Sequence, residues 1–399
     1  MKGGWETKTL GELLEKTETI NPLRSPHAEF DYIDVSSISN QTFRIEATQR
    51  LKGKDAPSRA RRLVKTNDIL FATVRPTLQR IAIVPDELDN QVCSTGYFVL
   101  RPKPGIDHRF IFYALFTEDF MARIVTLQKG ASYPAVTDAE VKAQPLAIPP
   151  LSEQQRIIRI IDKAFDGIAT AKANAAKNLR NARVLFESHL QSVFSRGGEA
   201  WVEKPLDEVV DAKCTLSYGI VQPGHECSDG LPVVRPTDLT TKIIPLNGLK
   251  RIAPTLANAY RRTTLRGGEL LLCVRGSTGI VSVASAELAG ANVTRGIVPI
   301  FFDPARLTQD FGYYLMRSDA VQSQIRERTY GAALMQINIA DLRKIRVSFP
   351  SLNEQNKIAA HLDTLSAETQ RLKSLYQQKL AALEALKTSL LHNAFSGGL

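Results

Sequence analysis

Pro149-Pro150-Leu151-Ser152-Glu153-Gln154-Gln155-Arg156-Ile157 opens a stretch that closes at Gly197-Gly198. Pro350-Ser351-Leu352-Asn353-Glu354-Gln355-Asn356-Lys357-Ile358 opens another, which closes at Gly397-Gly398. Leu352 lies 201 residues after Leu151, and the same offset pairs Asp162 with Asp363, Leu185 with Leu386, Leu190 with Leu391 and Phe194-Ser195 with Phe395-Ser396. A gap-free offset is what a helix demands, because one inserted residue rotates everything after it by about 100°. Ser152 and Asn353 stand where an N-cap is expected, and Gln155 completes a capping box with Ser152. The closing glycines suit helix C-termini. Between them runs a 4-3 spacing: Ile358, Leu362, Leu365, Thr369, Leu372, Tyr376, Lys379, Leu383, Leu386, Leu390. The first copy reads Ile157, Ile161, Ala164, Ile168, Ala171, Ala175, Asn178, Ala182, Leu185, His189 in the same phase. Small residues on one seam and large ones on the other predict two helices of one chain packed as a coiled coil.

Working outward, residues 1–148 show short β-rich runs at Tyr32–Ile38, Ile69–Val74, Ile81–Val84 and Tyr97–Leu100. A helical patch over His108–Ile124 follows, then the loop Gly130-Ala131-Ser132-Tyr133-Pro134 and the apolar run Leu146-Ala147-Ile148. After the first helix the order recurs. Trp201 to Glu208 echoes Trp5 to Glu12, and Glu269-Leu270-Leu271 answers Asp68-Ile69-Leu70. The helical patch returns at Asp310–Ile325, and Gly130-Ala131 as Gly331-Ala332. The expected domains are therefore 1–148, 149–198, 199–349 and 350–399, an α+β chain of globule, helix, globule, helix. A helix of about 44 residues spans roughly 65 Å, whereas a compact domain of about 150 residues spans about 40 Å. The second globule could not bridge two parallel helices, so the helices are expected antiparallel, with a globule at each end and pseudo-two-fold symmetry.

The chain has 399 residues, 43% hydrophobic and 23% charged, the composition of a soluble protein. Its four cysteines form no CxxC pair, so reduced, cytoplasmic thiols are expected, and His225 near Cys214 and Cys227 lacks a second ligand pair for zinc. The start, Met1-Lys2-Gly3-Gly4-Trp5, has no apolar leader, and no membrane span is expected. The net charge of +10 points to a polyanion as partner. Arg44, Arg50, Lys52, Lys54, Arg59, Arg61, Arg62 and Lys65 cluster in the first globule, and Lys250, Arg251, Arg261, Arg262, Arg266 and Arg275 in the second. Two basic stretches at equivalent places suit duplex DNA.

Catalytic motifs are not found. The chain has no Walker A loop, no dinucleotide fingerprint and no Asn/Asp-Pro-Pro-aromatic run of an amino-methyltransferase. Pro85-Asp86 with Glu140-Val141-Lys142 only superficially suggests a nuclease. Gly276-Ser277-Thr278-Gly279 after a strand could hold a phosphate on its amides or simply form a tight turn.

The duplicated helix with its P-x-L-x-E-Q start, alternating with two divergent globules, resembles the specificity subunit of type I restriction–modification systems over the full length. Pro57-Ser58-Arg59-Ala60-Arg61, Asn67 to Phe71 and Val74-Arg75-Pro76 look like the target-recognition domains of that family, as do Gly268 to Leu271 and Val274 to Gly279. The resemblance implies a non-catalytic DNA-reading subunit. Each globule would read half of a bipartite, asymmetric site, and the helices would set the spacer and dock two methyltransferase subunits. S-adenosylmethionine would sit on those subunits, with no cofactor in this chain, and a restriction/translocase subunit could join. For contact with DNA we select Arg44, Lys52, Lys54, Ser58, Arg59, Arg61, Arg62, Arg75, Ser132 and Tyr133 in the first globule. In the second we select Arg261, Arg262, Arg275, Ser277, Thr278 and Gln336. The alternatives are a coiled-coil scaffold without sequence-specific binding and a self-sufficient DNA-modifying enzyme.

Overall fold

The computed structural model describes residues 4–195, 197–198, 200–331 and 334–399. Met1-Lys2-Gly3, Ala332 of the repeated Gly-Ala pair, Ala333, Arg196 and Glu199 lie outside the described residues. Two compact units share the chain: residues 1–176 with 377–399, and residues 177–376. Each unit thus holds one globule, part of the first long helix, Leu151–Ser195, and part of the second, Leu352–Ser396.

In the first unit Glu6–Thr9 pairs antiparallel with Pro145–Ile148, so the globule's two ends close on one ribbon beside the helix start. The strand Ile69–Ala72, buried at every position, lies between Ile81–Ile83 and Tyr97–Leu100 in an antiparallel sheet. Glu29–Ile33 and Val92–Ser94 form the parallel centre of a second sheet, flanked by Gln49–Lys52 and Ala60–Leu63. Helices His108–Ala114 and Glu118–Leu127 cover the first sheet. Their Phe110 and Phe120 join Phe71, Ile157, Ile161, Leu391 and Ala394 in one core.

The second unit repeats this plan with other side chains. Val202–Pro205 pairs with Arg346–Phe349. Leu270–Cys273 lies between Val281–Ala284 and Ile297–Ile300, and Leu231–Val234 between Lys250–Ile252 and Asn292–Val293. Helices Gln309–Arg317 and Asp319–Glu327 close the core, with Phe311 and Tyr314 packed in one cluster with Phe186, Leu190 and Leu362.

Within each unit the long helices run antiparallel. In the first, Arg156 donates to the Leu399 carbonyl at 2.9 Å and Lys172 pairs with Glu384. In the second, His189 Nε2 lies 3.1 Å from His361 Nε2.

Four local expectations need correction. Both helices begin one residue before the expected N-caps, at Leu151 and Leu352. Ser351 is the cap of the second, its Oγ accepting from Glu354 N at 3.4 Å, and Pro150 holds the equivalent place in the first. The motif glutamines instead fasten each helix start. Buried Gln154 donates to the Pro149 carbonyl (2.8 Å) and accepts from Asp107 N (2.9 Å). Gln355 repeats this with the Pro350 carbonyl (2.9 Å) and Thr308 N (2.9 Å), and each glutamine donates to a second loop carbonyl, Gly105 (3.5 Å) for Gln154 and Arg306 (2.8 Å) for Gln355.

The seam also departs from a strict heptad. Asn178 and Lys379 are exposed, and Leu185 and Leu386 are 55% and 47% exposed. The buried face passes instead through Phe186, Leu190 and Phe194, and through Leu391 and Ala394. A straight helix turns about 100° per residue, so the position 28 residues after Ile157 is roughly 80° off its face and the next only about 20° off. The drift moves the seam forward by one residue in both copies.

Finally, the strand expected over Tyr32–Ile38 stops at Ile33, where Asp34 N donates to Ser37 Oγ at 3.0 Å in a turn. The patch over His108–Ile124 is two helices, since the Thr117 hydroxyl donates to the Ala114 carbonyl (2.8 Å) and caps Phe120 N (3.4 Å).

Candidate nucleic-acid interface

Each unit builds a hairpin beside its central strand. In the first, Lys129 and Ala135 exchange both backbone hydrogen bonds (3.0 and 2.9 Å), Val136 N donates to the Thr73 carbonyl, and Val74 bridges Ala135. In the second, Tyr330 and Gln336 exchange theirs (2.9 and 2.8 Å), Ile337 N donates to the Val274 carbonyl, and Arg275 bridges Gln336. The offset is again 201 residues. The structure therefore gathers Arg75 with Ser132 and Tyr133 in one unit, and Arg275 with Gln336 in the other.

In the first hairpin Arg75 N donates to the Pro134 carbonyl (2.7 Å) and Arg75 Nη2 to the Ser132 carbonyl (3.2 Å). The guanidinium lies 4.9 Å from the centre of the Tyr133 ring, which is 70% exposed. At the hairpin's foot the Lys129 ammonium pairs with Glu140 (2.9 Å). That contact, with hydrogen bonds from Thr137, holds the Glu140 carboxyl down at about 2. In the second hairpin Arg275 is half-buried, and its Nε is fully buried without a protein partner.

Apart from Ser277 and Thr278, the remaining selected residues fall into two groups. Arg44, Lys52, Lys54, Ser58, Arg59, Arg261 and Arg262 are exposed, and among the described residues no carboxylate pairs with these cations. Arg61 and Arg62 are turned inward. Arg61 Nη1 donates to the Ala60 carbonyl (2.8 Å), and Arg62 pairs with Asp138 at 2.7 Å. Of the other basic positions, Arg50 pairs with Asp31 (2.8 Å), Arg266 with Asp211 (3.6 Å) and Lys65 with Glu18 (3.5 Å). The run Gly276-Ser277-Thr278-Gly279 is a tight turn. Gly276, Thr278 and Gly279 donate their amides to the Met335, Gly276 and Cys273 carbonyls, so these amides do not form an anion cradle.

Sequence reading passed over Tyr330, Leu334 and Met335, which the second hairpin leaves 44–48% exposed. Projecting Lys129 and Tyr133 forward by the repeat offset would have found Tyr330 and Leu334.

Each hairpin thus carries an arginine, Arg75 or Arg275, for which no carboxylate partner occurs among the described residues. A model of the Type I restriction modification DNA specificity domain matches residues 2–178 and again 198–384. The chain belongs to this family. As a member of the type I specificity family it is 23% identical over 337 residues to the type I restriction enzyme EcoBI specificity subunit of Escherichia coli, covering 79% of this chain and 70% of that one. Its fold matches a chain from a structure addressing complex assembly and conformational transition of the type I R-M system, with TM-score 0.85 and 27% identity. That match covers 100% of this chain and 99% of the other. The crystal structure of the HsdS subunit from Thermoanaerobacter tengcongensis matches with TM-score 0.73 and 27% identity, covering 100% and 98%. Among the described residues, no helix is long and apolar enough to cross a membrane.

Proposed function

We propose that this chain is the DNA-reading subunit of a cytoplasmic type I restriction–modification complex. Each globule reads one half of a bipartite, asymmetric duplex site, and the long helices set the unread spacer and dock two methyltransferase subunits. Those subunits bring S-adenosylmethionine and the methylating chemistry, and a restriction/translocase subunit completes the nuclease. This chain supplies no catalytic group. The observation that carries the reading is the hairpin built twice, at one offset, on both halves of a member of the specificity-domain family. Exposed Lys52, Lys54, Arg59, Arg261 and Arg262 are assigned to phosphates, which orient a protein without specifying sequence.

The test is binding of the complex with its methyltransferase subunits to duplexes carrying the site mapped from host methylation. Log affinity should fall linearly with log salt, and Lys52→Ala with Lys54→Ala should flatten the slope by about 2 while weakening all sequences alike. Wild-type complex that binds random and mapped duplexes equally would overturn the reading in favour of a scaffold. Methylation by this chain without its partners would overturn it in favour of a self-sufficient enzyme.

A further inference from the structure

The two hairpins share their backbone bonds but differ in the side chains at their tips. Arg75 has φ 50°, in the left-handed region that an arginine seldom adopts. Its counterpart, one repeat on, is Gly276 at φ 85°, which needs no such compromise. Tyr133 likewise corresponds to Leu334. The turn can therefore be made without an arginine, yet the first unit holds one against its backbone preference.

Three contacts fix that arginine. Its amide is tied to the Pro134 carbonyl (2.7 Å), its Nη2 to the Ser132 carbonyl (3.2 Å), and its guanidinium plane to the exposed Tyr133 ring (4.9 Å). No carboxylate pairs with it among the described residues. One carbonyl uses one of five N–H donors, so most of the planar fork remains available to a ligand. A guanidinium held this way loses little side-chain freedom on binding. The base edge that matches such a fork is guanine, whose O6 and N7 accept two parallel hydrogen bonds in the major groove.

We propose that the half-site read by the first unit contains a G·C pair, its guanine read at O6 and N7 by Arg75, with Tyr133 as the positioning residue. This inference rests on the DNA-reading function above. The second unit, with Gly276 and Leu334 at these places, makes no equivalent contact.

The experiment uses the full chain in complex with its methyltransferase subunits and duplexes in which each guanine in turn is replaced by 7-deazaguanine, which lacks N7. For the wild type, one such replacement, in one half-site only, should lower affinity about tenfold to a hundredfold. Arg75→Gly, which suits the left-handed backbone, should weaken binding to the normal duplex by at least that factor, since the O6 contact is lost as well, and be indifferent to that replacement. Tyr133→Phe should keep the preference, and Tyr133→Leu should relax it at that base pair alone. Preference for the other half-site, unchanged in every variant, serves as the check that the complex is folded. Uniform weakening of all duplexes by Arg75→Gly would place Arg75 on a phosphate and overturn the proposal, as would wild-type preference in that variant. A wild-type complex with no preference anywhere would instead sink the DNA-reading function and this inference with it.

Discussion

Asp68 and Glu269 hold the same place in their units, just before the central strand, but their charges are compensated differently. Asp68, 1% exposed, accepts from Arg101 Nε and Nη2, both at 2.8 Å, and from Lys65 N at 2.8 Å. Glu269, 4% exposed, accepts from the backbone amides of Arg266 and Gly267, the latter at 2.9 Å. The comparison separates what the fold needs from what each sequence supplies. The fold needs an acceptor for the turn amide three residues upstream, and both acids provide it. The rest of the buried charge is met differently: by Arg101, just past the strand Tyr97–Leu100, in the first unit, and by a second turn amide, Gly267 N, in the second. Arg101 is shared with Glu18 at 2.8 Å, and that contact pulls the Glu18 carboxyl down to about 2.

Breaking this difference should produce the largest effect. Arg101→Ala leaves Asp68 buried without its counter-ion and is expected to cost about 3–5 kcal/mol. Chemical denaturation of the purified chain measures it. A loss below about 1 kcal/mol would mean that the amide suffices for Asp68, as amides do for Glu269.

A second contrast concerns volume. Ile111 is fully buried, and its counterpart one repeat on is Gly312, where an added Cβ would stand 2.2 Å from the Phe302 ring. The two substitutions to alanine should therefore fail for opposite reasons. Ile111→Ala opens a cavity worth about 2–5 kcal/mol, and Gly312→Ala overpacks by about 1–3 kcal/mol. Phe302→Leu should rescue only the second. Rescue of neither would show that Phe302 does not set the limit.

The helix starts sharpen the comparison in the other direction, because there the units agree. Gln154→Leu and Gln355→Leu each strand a loop amide and two carbonyls, and each should cost about 1–3 kcal/mol by thermal melting. A variant pair differing by more than that range would mean the matched bonds carry unequal weight.

The smallest effect lies where each helix pair meets its globule. Lys387 sits 5.1 Å from both the Phe43 and Phe165 rings, and burial lowers its pKa from the usual 10.5. Its counterpart is buried Phe186, over which Arg317 stacks at 5.4 Å while pairing with Glu187 at 3.1 Å. A lysine with a lowered folded pKa penalises the fold fully at neutral pH, and the penalty is relieved as pH rises toward 10.5. Lys387→Met should thus gain stability relative to wild type at pH 7 and lose that gain toward pH 10. A difference independent of pH would show that the two rings compensate the burial.

Much of the framework was legible because helices report themselves in periodicity. The repeat offset, the antiparallel helix pair and the short-stranded globules follow from residue spacing and chain length. Near the helix ends that same logic slipped. Leu185 and Leu386 read as seam residues because a heptad template ignores the slow drift of a straight helix, whose accumulated angle reaches a whole residue after four repeats. Within the candidate site, Arg75 with Tyr133 and Arg275 with Gln336 were chosen from residue type and loop position. Type alone did not distinguish Arg59, which is exposed, from Arg62, whose charge is spent on Asp138 far along the chain.

By itself the sequence determined the duplication, the helix pair and the basic balance, since each is a property of spacing or composition, and its motifs carry the resemblance to the type I specificity family. Only the tertiary structure decided which cations remain free. An ion pair such as Arg62 with Asp138 joins residues 76 positions apart, and no local pattern encodes it. It also decided that the two hairpins coincide in backbone while differing in chemistry. Backbone bonds between Thr73 and Val136, or Val274 and Ile337, are set by how the sheet and helices pack, and packing is a property of the whole unit.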